Sequence, residues 1–169
     1  MSEADRSNTP QISRVTLREI TMKNFRDCID LEVQAEQKNF VASNVISLAQ
    51  AKADPYMVPL VIYDGKVRGR VPGSDDPMVG FTMYQVRDGV GFIVRLMIAI
   101  EHQGKGYGKA TMREVIRRLK MNPEVEMIGT SFVKENAGAA ALYYGLGFED
   151  YSAGDGTETV VVLPWNPQD

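Results

Sequence analysis

A glycine cluster between a strand-like run and an amphipathic helix limits the folds open to this chain more than any other feature. The run Gly91-Phe-Ile-Val-Arg-Leu-Met-Ile98 has the apolar and β-branched residues of a strand, and His102-Gln-Gly-Lys-Gly-Tyr-Gly-Lys109 follows it. In residues 109–120, apolar side chains then recur on one face of a helix, and charged side chains occupy the opposite face. The apolar residues are Met112, Val115, Ile116 and Leu119. The pattern predicts a strand that enters a helix through a glycine-rich loop.

A loop of this kind is suited to bind an anion. The unpaired N–H groups at a helix N-terminus and the helix dipole both favour negative charge. Glycines lack Cβ atoms, so phosphate oxygens can approach the backbone closely. Lys105 and Lys109 add positive charge nearby. Taken alone, the same glycines also fit a turn that only joins a strand to a helix.

Spacing excludes the two familiar nucleotide-binding loops. A P-loop requires a glycine five residues before Gly108, where Gln103 stands, and a hydroxyl where Ala110 stands. A dinucleotide-binding loop requires a third glycine at position 109, which is Lys109. Neither of these two nucleotide-binding loops fits the spacing here.

Strand and helix patterns alternate on both sides of the glycine cluster. Strands are predicted at residues 15–20, 59–63, 78–86, 91–98, 126–133, 147–148 and 157–163. Helices are predicted at residues 24–37 with Thr21 as the N-cap, from Ser47 to about residue 54, and at 109–120 and 136–146. Consecutive hairpins flanked by two strand-helix-strand units predict an α/β protein of the α+β kind, with helices covering a mixed sheet.

The length of 169 residues predicts one domain, which we place at residues 13–164. Polar tails are predicted at 1–12 and 165–169. Residues 66–77 are rich in turn formers and predict a long loop inserted in a hairpin, either a tolerated insertion or a lid.

Composition narrows the function classes. The formal net charge of −3 argues against a general nucleic-acid binder, which usually has a basic face. Cys28 is the only cysteine, so neither an internal disulfide nor a cysteine-rich zinc site can form. No apolar run approaches the roughly 20 residues that cross a bilayer, and the first residues lack the apolar segment of a secretory signal. We expect a cytoplasmic protein with no metal, no nucleic-acid partner and no membrane contact.

Two motifs resemble the signatures of the GCN5-related N-acetyltransferase (GNAT) superfamily. Gln103-Gly-Lys-Gly-Tyr-Gly108 resembles its Gln/Arg-x-x-Gly-x-Gly/Ala signature. Asn136-Ala-Gly-Ala-Ala-Ala-Leu-Tyr-Tyr-Gly-Leu-Gly-Phe148 resembles its second signature, an Asn and a small residue followed by Leu-Tyr and a terminal Gly-Phe. The resemblance implies a mixed, mostly antiparallel sheet of six to seven strands flanked by about four helices. Its central strands would splay apart to form the coenzyme A cleft.

Within the superfamily, the chain looks closest to the bacterial spermine/spermidine acetyltransferases. The similar stretches are Glu36-Gln-Lys-Asn-Phe-Val-Ala-Ser-Asn44, and Arg95-Leu-Met-Ile98 with the loop that follows it. The loop at 66–77 departs from the compact hairpin of that group. The resemblance implies transfer of an acetyl group from acetyl-CoA to a primary amine, a polyamine such as spermidine or spermine, by direct attack, and it implies a homodimer.

The resemblance also implies which residues bind acetyl-CoA. The backbone of Met97 and Ile98 would contact the pantetheine arm, and an N–H there, that of Ile98, would polarise the thioester carbonyl. The amides of the glycine-rich loop would hold the pyrophosphate. The full set of cofactor-binding residues comprises Met97, Ile98, Gln103, Gly104, Lys105, Gly106, Tyr107, Gly108, Lys109, Asn136 and Tyr143. Asn136 equally fits the N-cap of the following helix.

Tyr143 matches the general acid of the family, which protonates the leaving thiolate. Reference pKa values of about 10 for tyrosine and 8.5 for a thiol make that transfer unfavourable by about 1.5 units. Tyr143 must therefore be helped by geometry or act as a hydrogen-bond donor, and a core aromatic is the alternative. Tyr144 lies about 100° further around the helix, so the two tyrosines cannot both face the cofactor.

The residues that would bind the acceptor amine are less well defined by the sequence. Glu32 and Glu36 are four residues apart on the predicted first helix, and two carboxylates on one face suit a cationic substrate. Solvated surface carboxylates are the alternative. His102 fits a surface residue better than a base, and Arg95 has no assigned role. Alternative functions are acetylation of another small amine or of a protein N-terminus, and non-catalytic sensing of acyl-CoA.

Overall fold

An open sheet of seven strands forms the centre of the computed structural model, which describes residues 14–65, 77–151 and 156–167. The strands are β1 Val15–Glu19, β2 Met57–Asp64, β3 Met78–Arg87, β4 Val90–Ile98, β5 Met127–Val133, β6 Glu149–Asp150 and β7 Glu158–Leu163. Their order in the sheet is β1-β2-β3-β4-β5-β7-β6, and only β4 and β5 pair in parallel. The predicted mixed, mostly antiparallel sheet is confirmed.

Four α-helices accompany this sheet in the described part of the chain. They are α1 Phe25–Asp30, α2 Asn44–Ala53, α3 Tyr107–Lys120 and α4 Ala137–Gly145, and two 3-10 turns lie at Ala35–Gln37 and Ile100–His102. The inserted loop predicted at 66–77 lies outside the described residues except for Pro77, as does the predicted N-terminal tail.

The prediction of one helix over residues 24–37 is wrong. Helix α1 ends at Asp30, and Leu31 is extended with ψ 131°. Leu31 and Val33 both pack against the core, which the two-residue spacing of an extended chain allows. The carbonyl of Glu32 accepts a hydrogen bond from the amide of Ile100 at 2.8 Å instead of one from its own helix. Tertiary contacts therefore outweigh the local helical pattern.

The starts of the first two helices also differ from prediction. Thr21 is not the N-cap of α1, because Asn24 holds that position and its Oδ1 accepts from the Thr21 amide at 2.7 Å. Helix α2 begins at Asn44, not at Ser47, since the Ser43 hydroxyl accepts from the Ile46 amide and caps the helix. Ser47 is buried inside the helix.

Each face of the sheet has its own apolar core. In β2, consecutive residues alternate between the two, so that the strand is buried on both sides. The core under α3 and α4, which we call the α3/α4 face, contains Leu17, Leu60, Ile62, Val79, Ile93, Met112, Val115, Leu119, Val125, Ile128, Phe132, Tyr143, Phe148 and Val161. The core under α1 and α2, the α1/α2 face, contains Cys28, Val61, Tyr63, Phe81, Met83 and Met97.

The sheet opens between β4 and β5. Their parallel pairing joins Val90 through Ile93 to Met127 through Thr130 and extends no further. Opposite β3, β4 has a bulge at Val94, because Tyr84 pairs with Ile93 and Met83 with Arg95. We call the divergence beyond Ile93 and Thr130 the splay. It confirms the prediction of splayed central strands.

Threonine hydroxyls satisfy backbone carbonyls on both sides of the bulge. The Thr130 hydroxyl donates to the carbonyl of Ile93 at 2.9 Å, and that of Thr82 donates to the carbonyl of Arg95 at 2.8 Å. Both threonines are buried, so a hydroxyl without a partner there would carry a considerable cost.

Candidate active site

A cavity of about 620 Å³ occupies the splay. Its walls come from the diverging parts of β4 and β5, the glycine-rich loop, α4 and the segment that follows the first 3-10 turn. A site of this size is within the range of small-molecule pockets. Among the predicted site residues, those that line it are Met97, Ile98, Gln103, Gly104, Gly106, Tyr107, Gly108, Asn136 and Tyr143.

The glycine-rich loop brings the start of α3 to the cavity wall. Gly104 and Gly106 have φ values of 73° and 84°, in the left-handed region that other residues rarely adopt. Gly106 is the N-cap of α3, so the amides of Tyr107, Gly108 and Lys109 have no partner within the helix. These donors and the positive end of the helix dipole form an anion-binding arrangement beside the cavity.

The two lysines of the loop do not line the cavity. Lys105 is exposed and its Nζ donates to the carbonyl of Glu101 at 2.9 Å. Lys109 lies in the first turn of α3 outside the lining residues. His102 does line the cavity, half-buried with its ring edge toward Tyr107 at 6.2 Å between centroids. Any positive charge from the lysines would therefore act from outside the pocket.

Gln103 connects three parts of the site. Its Nε2 donates to the carbonyl of Ile98, at the end of β4, at 2.9 Å. The same nitrogen donates to Oε1 of Gln37 at 2.8 Å. Gln37 belongs to the 3-10 turn and lines the cavity, and sequence reasoning did not single it out. No local pattern joins positions 37 and 103, so only the folded chain reveals this contact.

The edge of β4 at Met97 and Ile98 faces the opening of the sheet. Beyond Ile93 this strand still pairs with β3 but no longer with β5. Backbone groups on its free edge therefore face the cavity, where the carbonyl of Ile98 already accepts from Gln103. The Met97 side chain is buried in the core of the α1/α2 face, as an ordinary strand residue would be.

Asn136 caps α4 and lines the cavity as well. Its Oδ1 accepts from the amide of Ala139 at 3.1 Å, which is the bond expected of an N-cap. The N-cap alternative is therefore confirmed, and the cavity position leaves its amide nitrogen near any ligand.

Tyr143 projects from α4 into the core and reaches the cavity. Only 6% of it is exposed, and its ring packs against Phe132 and Phe148 at centroid distances of 5.8 and 5.9 Å. Burial raises the pKa of Tyr143, and a side-chain hydrogen bond with Thr130 opposes that shift. The phenol is thus held protonated at neutral pH, and Tyr143 is among the residues that line the cavity.

Tyr144 points the other way, as the 100° step predicts. It is 45% exposed and its hydroxyl donates to Asp150 Oδ1 at 2.6 Å. It does not line the cavity.

The predicted pairing of Glu32 and Glu36 on one helical face is wrong. The helix ends at Asp30, so Glu32 lies in extended chain and Glu36 in the 3-10 turn. Neither residue lines the cavity. Glu32 is exposed and pairs with Lys38 at 3.6 Å.

A different carboxylate, Glu158, lines the cavity. Its Oε2 accepts a hydrogen bond from the Ser131 hydroxyl at 2.5 Å. Arg95 lines the cavity too, with Nη1 donating to the carbonyl of Val94 and Nη2 to Gln50 Oε1. Burial lowers the pKa of Arg95, and the charge of Glu158 opposes that shift. Sequence reasoning missed Glu158, whose position depends on pairing between β5 and β7.

The fold and this pocket provide a site for an anionic ligand between splayed strands of a mixed sheet, and the sequence comparisons identify the class of protein. Residues 15–148 match the acetyltransferase (GNAT) family. The chain belongs to this family and is an N-acetyltransferase.

Individual relatives have low sequence identity to this chain but match most of its length. The spermine/spermidine N(1)-acetyltransferase of Bacillus subtilis is 26% identical over 143 residues, which are 80% of this chain and 88% of the relative. A domain from Methanocaldococcus jannaschii superposes with a TM-score of 0.70 at 16% identity, covering 89% and 98% of the two chains. The spermidine N-acetyltransferase from Vibrio cholerae, solved in complex with CoA and spermine, has a TM-score of 0.64 at 17% identity and 88% and 93% coverage.

Two properties of the described residues bear on other classes of protein. None of the helices there has the length and apolar character needed to span a bilayer. No group of three or more His, Cys, Asp or Glu side chains there is arranged to hold a metal ion.

Proposed function

We propose that the protein transfers an acetyl group from acetyl-CoA to a primary amine, with polyamines such as spermidine and spermine as the acceptor class. The observation that carries the proposal is the cavity in the splay, which has the anion-binding start of α3 in one wall and the protonated Tyr143 in another. An acetyl donor that contains a pyrophosphate matches the first wall. A reaction that needs a proton donor matches the second.

The donor fits along the glycine-rich loop and the free edge of β4. The amides of residues 103–109 would hold the pyrophosphate, and the backbone of Met97 and Ile98 would hold the pantetheine arm. Lys105 and Lys109 would contribute from the rim, and Asn136 through its side-chain amide. Holding the thioester in the splay would convert a bimolecular attack into a positioned one, which is a large part of catalysis in transfer reactions.

In the reaction, the neutral amine nitrogen attacks the thioester carbon, the C–N bond forms and the C–S bond breaks. The amine gives up a proton and the leaving sulfur takes one. Tyr143 is the candidate donor to that sulfur. Because burial raises its pKa further above that of a thiol, Tyr143 acts mainly as a positioned hydrogen-bond donor that stabilises the developing thiolate.

The acceptor class is supported by the relatives and not by a bound ligand. The similar Bacillus subtilis protein is named for spermine and spermidine, and the similar Vibrio cholerae structure contains spermine beside CoA. Another small amine, a protein N-terminus, or acyl-CoA binding without turnover are the alternatives that the experiment must separate.

The test is a thiol-release assay with acetyl-CoA and a panel of amines. The panel contains spermidine, spermine, an aminoglycoside, a free amino acid and a short peptide with a free N-terminus. We expect the highest kcat/KM for a polyamine. Turnover of only a different amine would overturn the acceptor class, and tight acetyl-CoA binding with no turnover on any amine would overturn catalysis.

A further inference from the structure

The two faces of the sheet contribute different chemistry to the cavity. Strand residues two apart share a face, and directly paired residues share one as well. Thr130 and Phe132 contact Tyr143, so they point to the α3/α4 face. Ser131, which lies between them, points to the opposite face. Tyr143 and Ser131 therefore line the cavity from opposite faces of the sheet.

Glu158 lies on the same face as Ser131. Val133 on β5 pairs directly with Glu158 on β7, and Ser131 is two residues from Val133. The hydrogen bond from the Ser131 hydroxyl to Oε2 of Glu158 is the contact that this placement predicts between diagonal neighbours. The bond restrains a glutamate side chain that would otherwise be free to move at the mouth of the cavity.

Arg95 lies on that same α1/α2 face, across the opening. It pairs with Met83, which belongs to the core of the α1/α2 face, and its guanidinium reaches Gln50 of α2. The pKa of Arg95 responds to the charge of Glu158, so the two groups are close enough to interact. The mouth of the cavity on the α1/α2 face therefore has a cation on one wall and an anion on the other.

This mouth is opposite the part of the site that suits the donor. The glycine-rich loop leads into α3, and Tyr143 belongs to α4, so both are on the α3/α4 face. If the donor occupies that side, the acceptor enters from the α1/α2 face. Among the described residues that line the cavity, Glu158 is the one with a carboxylate. A protonated amine at the α1/α2 mouth needs an anionic partner of this kind.

We propose that Glu158, held in place by Ser131, binds the ammonium group of the acceptor at the α1/α2 mouth and so determines specificity for cationic amines. The inference rests on the proposed acetyl transfer. It assigns to Glu158 the part that the sequence suggested for Glu32 and Glu36.

The test is steady-state kinetics of Glu158→Gln with the best amine of the panel. We expect the amine KM to rise about ten-fold, the effect of losing one charge-assisted contact. The acetyl-CoA Kd should change less than about two-fold, because Glu158 lies on the face away from the donor loop. Glu158→Asp should recover part of the loss, and Ser131→Ala should show a smaller increase in KM.

Glu149→Gln is the matched control, because Glu149 is exposed on β6 and does not line the cavity. Added salt should raise the amine KM of the unmodified protein more than that of Glu158→Gln, since it screens the removed attraction. An unchanged amine KM in Glu158→Gln, while the unmodified protein turns over amines, would overturn the inference alone. Absence of turnover in the unmodified protein with every amine would overturn the proposed function itself.

Discussion

Tyr143 and Tyr144 show how neighbouring residues of one type acquire different chemistry. Tyr143 is enclosed by Phe132 and Phe148, and burial favours its neutral form. Tyr144 is exposed and its hydroxyl is engaged with Asp150 on the short edge strand. A protonated phenol that reaches the cavity can stabilise a developing negative charge, whereas a phenol bound to a surface carboxylate has no access to one.

Replacing Tyr143 with phenylalanine should lower kcat by about a hundred-fold, because the ring and its packing remain while the donor is lost. The acetyl-CoA Kd, measured by calorimetry, should stay within about two-fold. Tyr144→Phe is the control and should leave kcat unchanged. Equal kcat values for the unmodified protein and Tyr143→Phe would remove Tyr143 from the reaction.

Cys28 should be inert in the folded protein. Its side chain is fully buried, and burial raises the pKa of the thiol to about 12. Only a thiolate reacts rapidly with disulfide reagents, so labelling of the native protein at pH 8 should be far slower than in urea. The folded pKa exceeds the unfolded value, so this group's contribution to stability is complete below about pH 8.5 and declines as the pH rises toward 12. Equal labelling rates in the native and unfolded states would contradict the buried position.

Two hydrogen bonds join the loop before α3 to the segment after α1. The amide of Ile100 donates to the carbonyl of Glu32 at 2.8 Å, and the side chain of Gln103 donates to Gln37. Oε1 of Gln37 also accepts from the amide of Gln34, which closes the 3-10 turn. The donor loop and residues 37–42 of the cavity wall are therefore held to each other as one unit.

Removing this link should affect both substrates. In Gln37→Leu, Gln103 loses an acceptor and the 3-10 turn loses its closing bond, so the acetyl-CoA Kd and the amine KM should both rise about three- to ten-fold. Gln37→Glu keeps an acceptor oxygen at the same place and should recover most of the loss. A change in only one of the two constants would show that the two segments act independently.

The opening through the sheet depends on polar groups within the core. On the two sides of the bulge, the hydroxyls of Thr82 and Thr130 donate to the carbonyls of Arg95 and Ile93. Thr111 is also fully buried, but its hydroxyl has no partner among the described residues. These threonines thus have the same burial and different hydrogen bonding.

Thr82→Val should lower the free energy of unfolding by about 1 kcal/mol, because the hydrogen bond from the Thr82 hydroxyl to the carbonyl of Arg95 is lost. Thr111→Val is the matched control and should be neutral or stabilising, since it removes a hydroxyl that is buried without a partner. Urea denaturation monitored by circular dichroism measures both. Equal effects of the two substitutions would show that the hydroxyl of Thr82 has no special part in the splay.

Three expectations about the complete protein stay predictions. They are a single domain over residues 13–164, a cytoplasmic location and assembly as a homodimer. Gel filtration coupled to light scattering measures the last of these directly.

The order of the elements and the anion-binding loop were predictable from the sequence, because both depend on residues that are neighbours along the chain. Hydrophobic periodicity located six of the seven strands and the helices at 109–120 and 136–146 to within a few residues, whereas β6 lies at Glu149–Asp150 and not at the predicted 147–148. The glycine-rich loop was visible for the same reason, and the resemblance of residues 103–108 and 136–148 to family signatures indicated the splay.

The acceptor side depended on contacts between distant residues. Helix α1 ends early because Leu31 and Val33 pack on the sheet and Glu32 bonds to Ile100, and no local pattern reports those contacts. Glu158 reaches the cavity because β7 pairs with β5. In that pairing Glu158 lies opposite Val133, which is 25 residues earlier in the chain. Local sequence therefore specified the glycine-rich loop, while long-range strand pairing placed Glu158, the residue proposed to bind the amine.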